Sequence, residues 1–193
     1  VDVNYSGSVG FGRVYRDRLK SFWGVADVFD CSAAAQYLIN QGKAHEDFIA
    51  IEGSSAGGFT TLSCLSSTNI FRAACCKYGV SDLMALGNQT HRFEKGYFEY
   101  LIGSIDDCSD LYKMRSPVNQ VDKIDCPVIF FQGLKDNVVH PVQTYNIVNL
   151  LRKNSVPVEL HTYEKEAHGF KDPQVRIDVL EKTELFFRKH LSL

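Results

Sequence analysis

The sequence predicts an α/β fold, a mainly parallel sheet with helices on both faces. Three observations carry that prediction. Apolar runs of strand length alternate with longer stretches of helical periodicity along the chain. Two of those runs, 73–78 and 127–132, are apolar almost throughout, as strands buried on both faces are. Residues 48–65 read as a strand, a turn of small residues and a helix in immediate succession.

The elements follow in order. Residues 1–5 read as the stump of a strand. Residues 24–41 read as a helix whose apolar face includes Val25, Val28, Phe29, Leu38 and Ile39, with Gly42 placed to end it. Strands are predicted over 48–52, 73–78, 127–132 and 158–164. Helices are predicted from Phe59 onward, over 141–154 and over 174–190. Strand, crossover helix and parallel strand form a right-handed unit, so this rhythm implies one sheet. Residues 80–121 break it, with Asp82-Leu83-Met84, an aromatic stretch over 93–100 and Tyr112. That segment reads as an excursion with its own small apolar core. No internal repeat or low-complexity tract occurs.

The turn at Gly53-Ser54-Ser55-Ala56-Gly57-Gly58 fits G-x-S-x-G with one further glycine. A serine on a sharp strand-to-helix turn projects its hydroxyl above the sheet. Glycines around it avoid collisions with the neighbouring strand and helix. The helix N-terminus aims backbone N–H groups at the same spot, which suits a developing anion. Ser55 is therefore the candidate nucleophile, and the N–H of Ala56 is a candidate oxyanion donor.

A serine hydroxyl needs a base and an orienting carboxylate. Asp136 follows the apolar run 127–131, and His168 follows the run 158–163. Each stands on a loop at the C-terminal end of a predicted strand, and in a parallel sheet those ends share one edge. Taken singly, Asp136 would cap the helix starting near Pro141, and His168 would be an ordinary loop histidine. His45, His91 and His190 stand in polar or helix-end contexts, His161 lies inside a strand, and His140 follows Asp136 too closely to come from a later one. The order Ser55, Asp136, His168 is that of the α/β-hydrolases.

Several blocks then resemble one family in one order. Asn4-Tyr5-Ser6-Gly7-Ser8-Val9-Gly10-Phe11-Gly12, Trp23-Gly24-Val25-Ala26-Asp27-Val28-Phe29-Asp30, the serine turn, Arg115-Ser116-Pro117, Val121-Asp122-Lys123-Ile124, Gly133-Leu134-Lys135-Asp136-Asn137-Val138-Val139 and Ala167-His168-Gly169-Phe170 are similar to segments of the prolyl oligopeptidase family's C-terminal catalytic domain. The acylaminoacyl-peptidase-like branch, with its dipeptidyl peptidase relatives, is the nearest in flavour. The resemblance implies an α/β-hydrolase fold, here over residues 1–193 as an N-terminally truncated catalytic domain. It implies a serine peptidase that cleaves short peptides through an acyl-enzyme on Ser55, Asp136 and His168, with no metal and no organic cofactor. It makes residues 80–121 one wall of the substrate pocket, with Tyr78, Phe93, Tyr97, Phe98 and Val138 as candidate pocket residues. Asp27 and Asp30 belong to the family's helix start, with a structural role in capping or in pairing with an arginine.

Two departures stand out. Ser6 occupies a position where the family often has arginine. The family's glycine-rich segment upstream of Asn4, which supplies a second oxyanion donor, and its N-terminal β-propeller are expected in a longer protein. A sheet without its early strands would present an open edge, and pairing of two copies through it is an expectation of the sequence.

Composition agrees with one globular domain: 193 residues, 45% hydrophobic, 23% charged, formal net charge −2. No basic block points to nucleic acid and no apolar run reaches a membrane span. The six cysteines show no C-x-x-C spacing. Buried free thiols in a cytoplasmic protein are the expectation, with Cys108 and Cys126 left open because extracellular members of the family carry disulfides. A carboxylesterase on the same three residues and a catalytically silent interaction module are the alternative readings.

Overall fold

The computed structural model describes residues 1–89 and 92–192, with the side chains of residues 89 and 92–95 outside that description. Four strands form one sheet in the order β1-β2-β3-β4: β1 is Ala50–Ser54, β2 Ala73–Lys77, β3 Val128–Gly133 and β4 Val158–Tyr163. All three pairings are parallel. The C-terminal ends of the four strands therefore stand along one edge, with Ser54 opposite Lys77, Lys77 opposite Phe131 and Gly133 opposite Tyr163.

Parallel strands need crossover helices, and these cover both faces. On one face α2 (Ala26–Asn40), α3 (Ala56–Ser67) and α7 (Pro141–Lys153) bury Val28, Leu62, Leu65, Ile147 and Leu151 against Ala74, Cys76, Val128 and Phe130. On the other, α8 (Pro173–Leu191) buries Val179, Phe186 and Leu191 against Ala73, Cys75, Ile129 and Phe131. Alternation along β2 sends Cys75 and Cys76 to opposite faces. β3 is buried at every residue, as its unbroken apolar run requires. The six cysteines are free thiols.

Between β2 and β3 the chain makes α4 (Leu83–Gln89), α5 (Arg92–Leu101) and α6 (Ser109–Arg115), preceded near the N-terminus by the one-turn α1 (Arg13–Arg16). Leu83, Leu86, Leu101, Ile102 and Tyr112 share an apolar core with Leu19, Trp23, Phe59 and Val139. Phe59 of α3 is the link: its ring meets Trp23 at 4.4 Å, so the helix behind Ser55 packs on the sheet with one side and on this smaller core with another.

Three readings of the sequence need correction. Residues 1–5 form no strand, because they pair with no neighbour; Asn4 and Gly7 are tied instead to Tyr15. The first strand begins two residues later than its apolar run, since Phe48 sits in a 3-10 turn, Glu46–Phe48, and sheet pairing continues through Gly53 and Ser54 to the turn itself. On α2, Val25 and Phe29 are 45% and 71% exposed. The inward face is set by Asp27, Val28, Ser32 and Ala35, because Asp27, fully buried, accepts hydrogen bonds from Thr60 Oγ1 of α3 at 2.5 Å and from the Gly24 N–H at 2.7 Å.

Among the described residues no helix is long and apolar enough to cross a membrane.

Close backbone contact limits what the turn tolerates. A Cβ on Gly58 would stand 2.6 Å from the Gly79 Cα, and backbone cannot move aside as a side-chain tip can. Gly58→Ala should lower stability by about 1–3 kcal/mol, read as a fall in thermal midpoint of several degrees; an unchanged midpoint would contradict the packing described.

Candidate active site

The turn from β1 into α3 is completed within one residue. Ser55 has φ 54° and ψ −119°, a conformation that L-residues avoid. It is held on both sides: the Ser55 N–H donates to the Lys77 carbonyl at 3.0 Å, and the Ser55 carbonyl accepts from the Phe59 N–H at 3.0 Å. Gly53 lets the strand pass under the helix, since a Cβ there would lie 2.1 Å from the Gly57 oxygen. Ala56 opens α3, so its N–H belongs to the first turn, whose donors have no partner within the helix.

The Ser55 hydroxyl is joined to two residues that the sequence places far away. Its Oγ is 2.8 Å from His168 Nε2, and His168 Nδ1 is 2.8 Å from Asp136 Oδ2. The aspartate is buried, whereas the His168 side chain is 25% exposed and Ser55 is half-buried. The chain of bonds thus runs from the interior to the surface.

Asp136 does not cap α7. That role falls to His140, whose Nδ1 accepts from the Val142 N–H at 3.5 Å. The Asp136 Oδ1 accepts instead from the Val138 and Val139 N–H groups, both at 2.9 Å. Burial pushes the carboxyl upward, but the His168 bond and these two N–H groups outweigh it, and Asp136 stands below its ordinary value.

The His168 loop is fixed by contacts that sequence reasoning missed. Glu166 is buried and accepts from the Lys171 N–H at 2.7 Å and the Asp172 N–H at 3.2 Å, drawing the loop closed on both sides of the histidine. Its carbonyl accepts from the Lys135 N–H at 2.9 Å, which docks the loop on the one bearing Asp136. Gly133 permits that docking, because a Cβ would lie 2.6 Å from the carbonyl oxygens of Glu166 and Ala167. Gln132, also buried, donates from Nε2 to Asp136 Oδ2 at 3.3 Å and accepts from Thr144 Oγ1 at 2.7 Å. The available signals were slight: a polar residue ending an apolar strand, and a carboxylate two positions before a loop histidine.

The candidate pocket residues fall in different places. Tyr78, in a positive-φ conformation at the end of β2, meets the His168 ring at 4.9 Å and the Phe170 ring at 5.1 Å, edge-on in both cases. Phe98 packs against Trp23 in the smaller core, with ring centroids 5.9 Å apart. Tyr97 is exposed and stacks on Tyr100. Val138 is exposed on the Asp136 loop. The side chain of Phe93 lies outside the described residues. Among the described residues Asp27 meets no arginine in an ion pair; burial raises its carboxyl despite the bonds from Thr60 and Gly24. Asp30 accepts from the Ser6 N–H at 2.6 Å.

The geometry supplies a hydroxyl bonded to an imidazole, an imidazole bonded to a buried carboxylate, and helix N–H groups beside the hydroxyl. That set can transfer an acyl group.

Known proteins share this arrangement of chain. All of residues 1–193 match the model of the prolyl oligopeptidase family. A puromycin-hydrolyzing peptidase from Mycobacterium tuberculosis superposes with a TM-score of 0.96 and 42% identity, over 98% of this chain and 29% of that one. The dipeptidyl peptidase family member 6 of Caenorhabditis elegans is 29% identical over 199 residues, 100% of this chain and 27% of its own length. The acylamino-acid-releasing enzyme of Arabidopsis thaliana is 27% identical over 207 residues, 99% of this chain and 26% of its own. The chain spans about a quarter of the length of the curated relatives it matches.

Two measurements check the local account. Glu166→Ala should accelerate amide exchange at Lys171 and Asp172 about tenfold or more and cost about 1–3 kcal/mol; unchanged protection at both would overturn the role given to Glu166. Because the Asp136 pKa is depressed on folding, its contribution to stability is present above the ordinary carboxylate value of 3.8 and is lost as pH falls through the lower folded value. Asp136→Asn should therefore remove part of the acid-side loss of stability, visible when urea midpoints of the two proteins are compared from pH 6 down to pH 3.

Proposed function

The chain belongs to the prolyl oligopeptidase family and has the α/β-hydrolase fold, and on that premise we propose that the protein containing it is a serine peptidase acting through an acyl-enzyme. The observation that carries the proposal is the bonded sequence Ser55 Oγ, His168 Nε2, His168 Nδ1, Asp136 Oδ2, with 2.8 Å at each of its two links.

In this reading His168 takes the Ser55 proton as Oγ attacks the substrate carbonyl. Asp136 keeps the proton of the neutral imidazole on Nδ1, leaving Nε2 free to accept, and stabilises the imidazolium that forms. The Ala56 N–H, in the first turn of α3, donates to the oxyanion. His168 then returns the proton to the leaving amine, and a water activated by the same imidazole releases the acyl group. Tyr78 packs on the edge of His168 and forms part of the substrate-facing wall.

The substrate class we propose is short peptides and aminoacyl amides. The relative of 42% identity is named for hydrolysing puromycin, in which an amide joins an aminoacyl group to an aminonucleoside, and the Caenorhabditis relative is named as a dipeptidyl peptidase. Both names support amide rather than ester cleavage. Removal of blocked N-terminal residues, as the name of the Arabidopsis relative describes, is the second reading within the same mechanism.

The full-length protein should be labelled by a fluorophosphonate probe, and Ser55→Ala should abolish labelling; a wild type that resists the probe would remove the enzyme reading and leave the interaction module. Asp136→Asn should lower kcat about ten-thousand-fold. Side-by-side hydrolysis of an aminoacyl amide, a dipeptidyl amide, an acyl-peptide and a simple ester would then rank the substrate classes, with the amides bearing a free amine expected first.

A further inference from the structure

Gln132 is fully buried at the end of a strand whose other residues are all buried too, four of them apolar. A side-chain amide placed there costs stability unless each end finds a partner. Both ends do. Thr144 Oγ1 of α7 donates to Oε1 at 2.7 Å, while Nε2 faces three acceptors: Gly133 O at 3.1 Å, Asp136 Oδ2 at 3.3 Å and Val139 O at 3.4 Å. Turning the amide over would set its oxygen against a carboxylate and two carbonyls, so this network fixes which end is the donor.

The oxygen it reaches is the one that accepts from His168 Nδ1. The other oxygen, Oδ1, is already occupied by the Val138 and Val139 N–H groups. We propose that Gln132 is a positioning residue for the reaction, a neutral donor that locks the carboxylate plane and moderates the charge Asp136 presents to His168. The inference rests on the acyl-transfer reading above. Apolar packing alone would be served as well by methionine, which has the same length and no donor.

His168 is the hydrogen-bonded partner of Asp136, Tyr78 lies against the imidazole from the end of β2, and Glu166 on the histidine loop turns its carboxylate to the Lys171 and Asp172 N–H groups. The contacts from Ser55 and, through Gln132, from Thr144 are hydroxyls. Without the neutral donor, more of the carboxylate's charge falls on His168, its protonated form gains, and a higher pH is needed to free the base.

In the full-length protein, Gln132→Met should lower kcat about tenfold, leave KM within about twofold, and move the acid limb of the kcat/KM profile up by about half a unit. Thr144→Val keeps Gln132 but removes its anchor, and should move both quantities the same way by less. The double variant should fall short of the summed single effects, since both act through one contact. A folded Gln132→Met protein with an unmoved acid limb, whatever its thermal midpoint, overturns the proposal. If Gln132→Met does not fold, an unmoved limb in Thr144→Val overturns it. Ser55→Ala measured in parallel separates the two readings. Activity surviving in that variant defeats the acyl-transfer reading, whereas activity lost there with an unmoved limb in Gln132→Met defeats only the role of Gln132.

Discussion

The turn at Ser55 is the constraint on which the rest of this structure depends. A strand must become a helix within one residue, and the helix must then lie close on the next strand. The first demand puts Ser55 at φ 54°, a strained angle sustained by backbone bonds to Lys77 and Phe59. The second demand excludes Cβ atoms at Gly53, which passes under the Gly57 carbonyl of α3, and at Gly58 of α3, which lies against the Gly79 backbone. Once α3 is seated this closely it serves two cores at once, Leu62 and Leu65 facing the sheet and Phe59 facing Trp23. The strained angle is thus maintained by burial on several sides of the helix that follows it.

The electrostatics of the site follow a gradient of solvation. Asp136 is buried, yet it is held charged by directed donors: the His168 Nδ1, two backbone N–H groups and the Gln132 amide. His168 is partly open to solvent, and Ser55 stands at the turn above the sheet. A buried carboxylate needs such partners, because desolvation alone would neutralise it. Asp27 shows the contrast. It too is buried and hydrogen-bonded, but its donors are a threonine hydroxyl and its own helix start, and its carboxyl stays above the ordinary value. One aspartate joins two helices, while the other faces an imidazole.

Both edge strands end in the site, β1 in the turn at Ser55 and β4 in the loop that Glu166 closes around His168; the edges differ in what lies beside them. Beside β1 runs a groove of about 560 Å³, lined by Val1, Val3, Tyr5, Cys31, Leu38 and Ile51 among others. The chain is about a quarter of the length of its curated relatives, so the activity proposed here is assigned to the protein that contains it.

Much of this was legible in sequence. Apolar runs and helical periods located the four strands and the long helices to within about three residues, the widest gap being the start of α3 at Ala56 rather than Phe59, and the G-x-S-x-G turn and the apolar runs before Asp136 and His168 placed these residues after three strands of one sheet. What sequence did not reach depends on neighbours that come from elsewhere in the chain. The apolar residues Val25 and Phe29 face outward because a polar residue, Asp27, finds Thr60 and takes the inward side. Residues 1–5 have strand-like composition but no strand beside them to bond. Gln132 and Glu166 look unremarkable in a row of letters, since a buried amide or carboxylate acquires its meaning from the donors and acceptors that folding brings to it. The sequence by itself determined the order of the elements and the chemical types at the ends of three strands, because periodicity and turn chemistry are local. Only the tertiary structure decided which side chains meet, because a 2.8 Å bond between residues 113 positions apart exists only after parallel pairing has brought their strand ends to one edge.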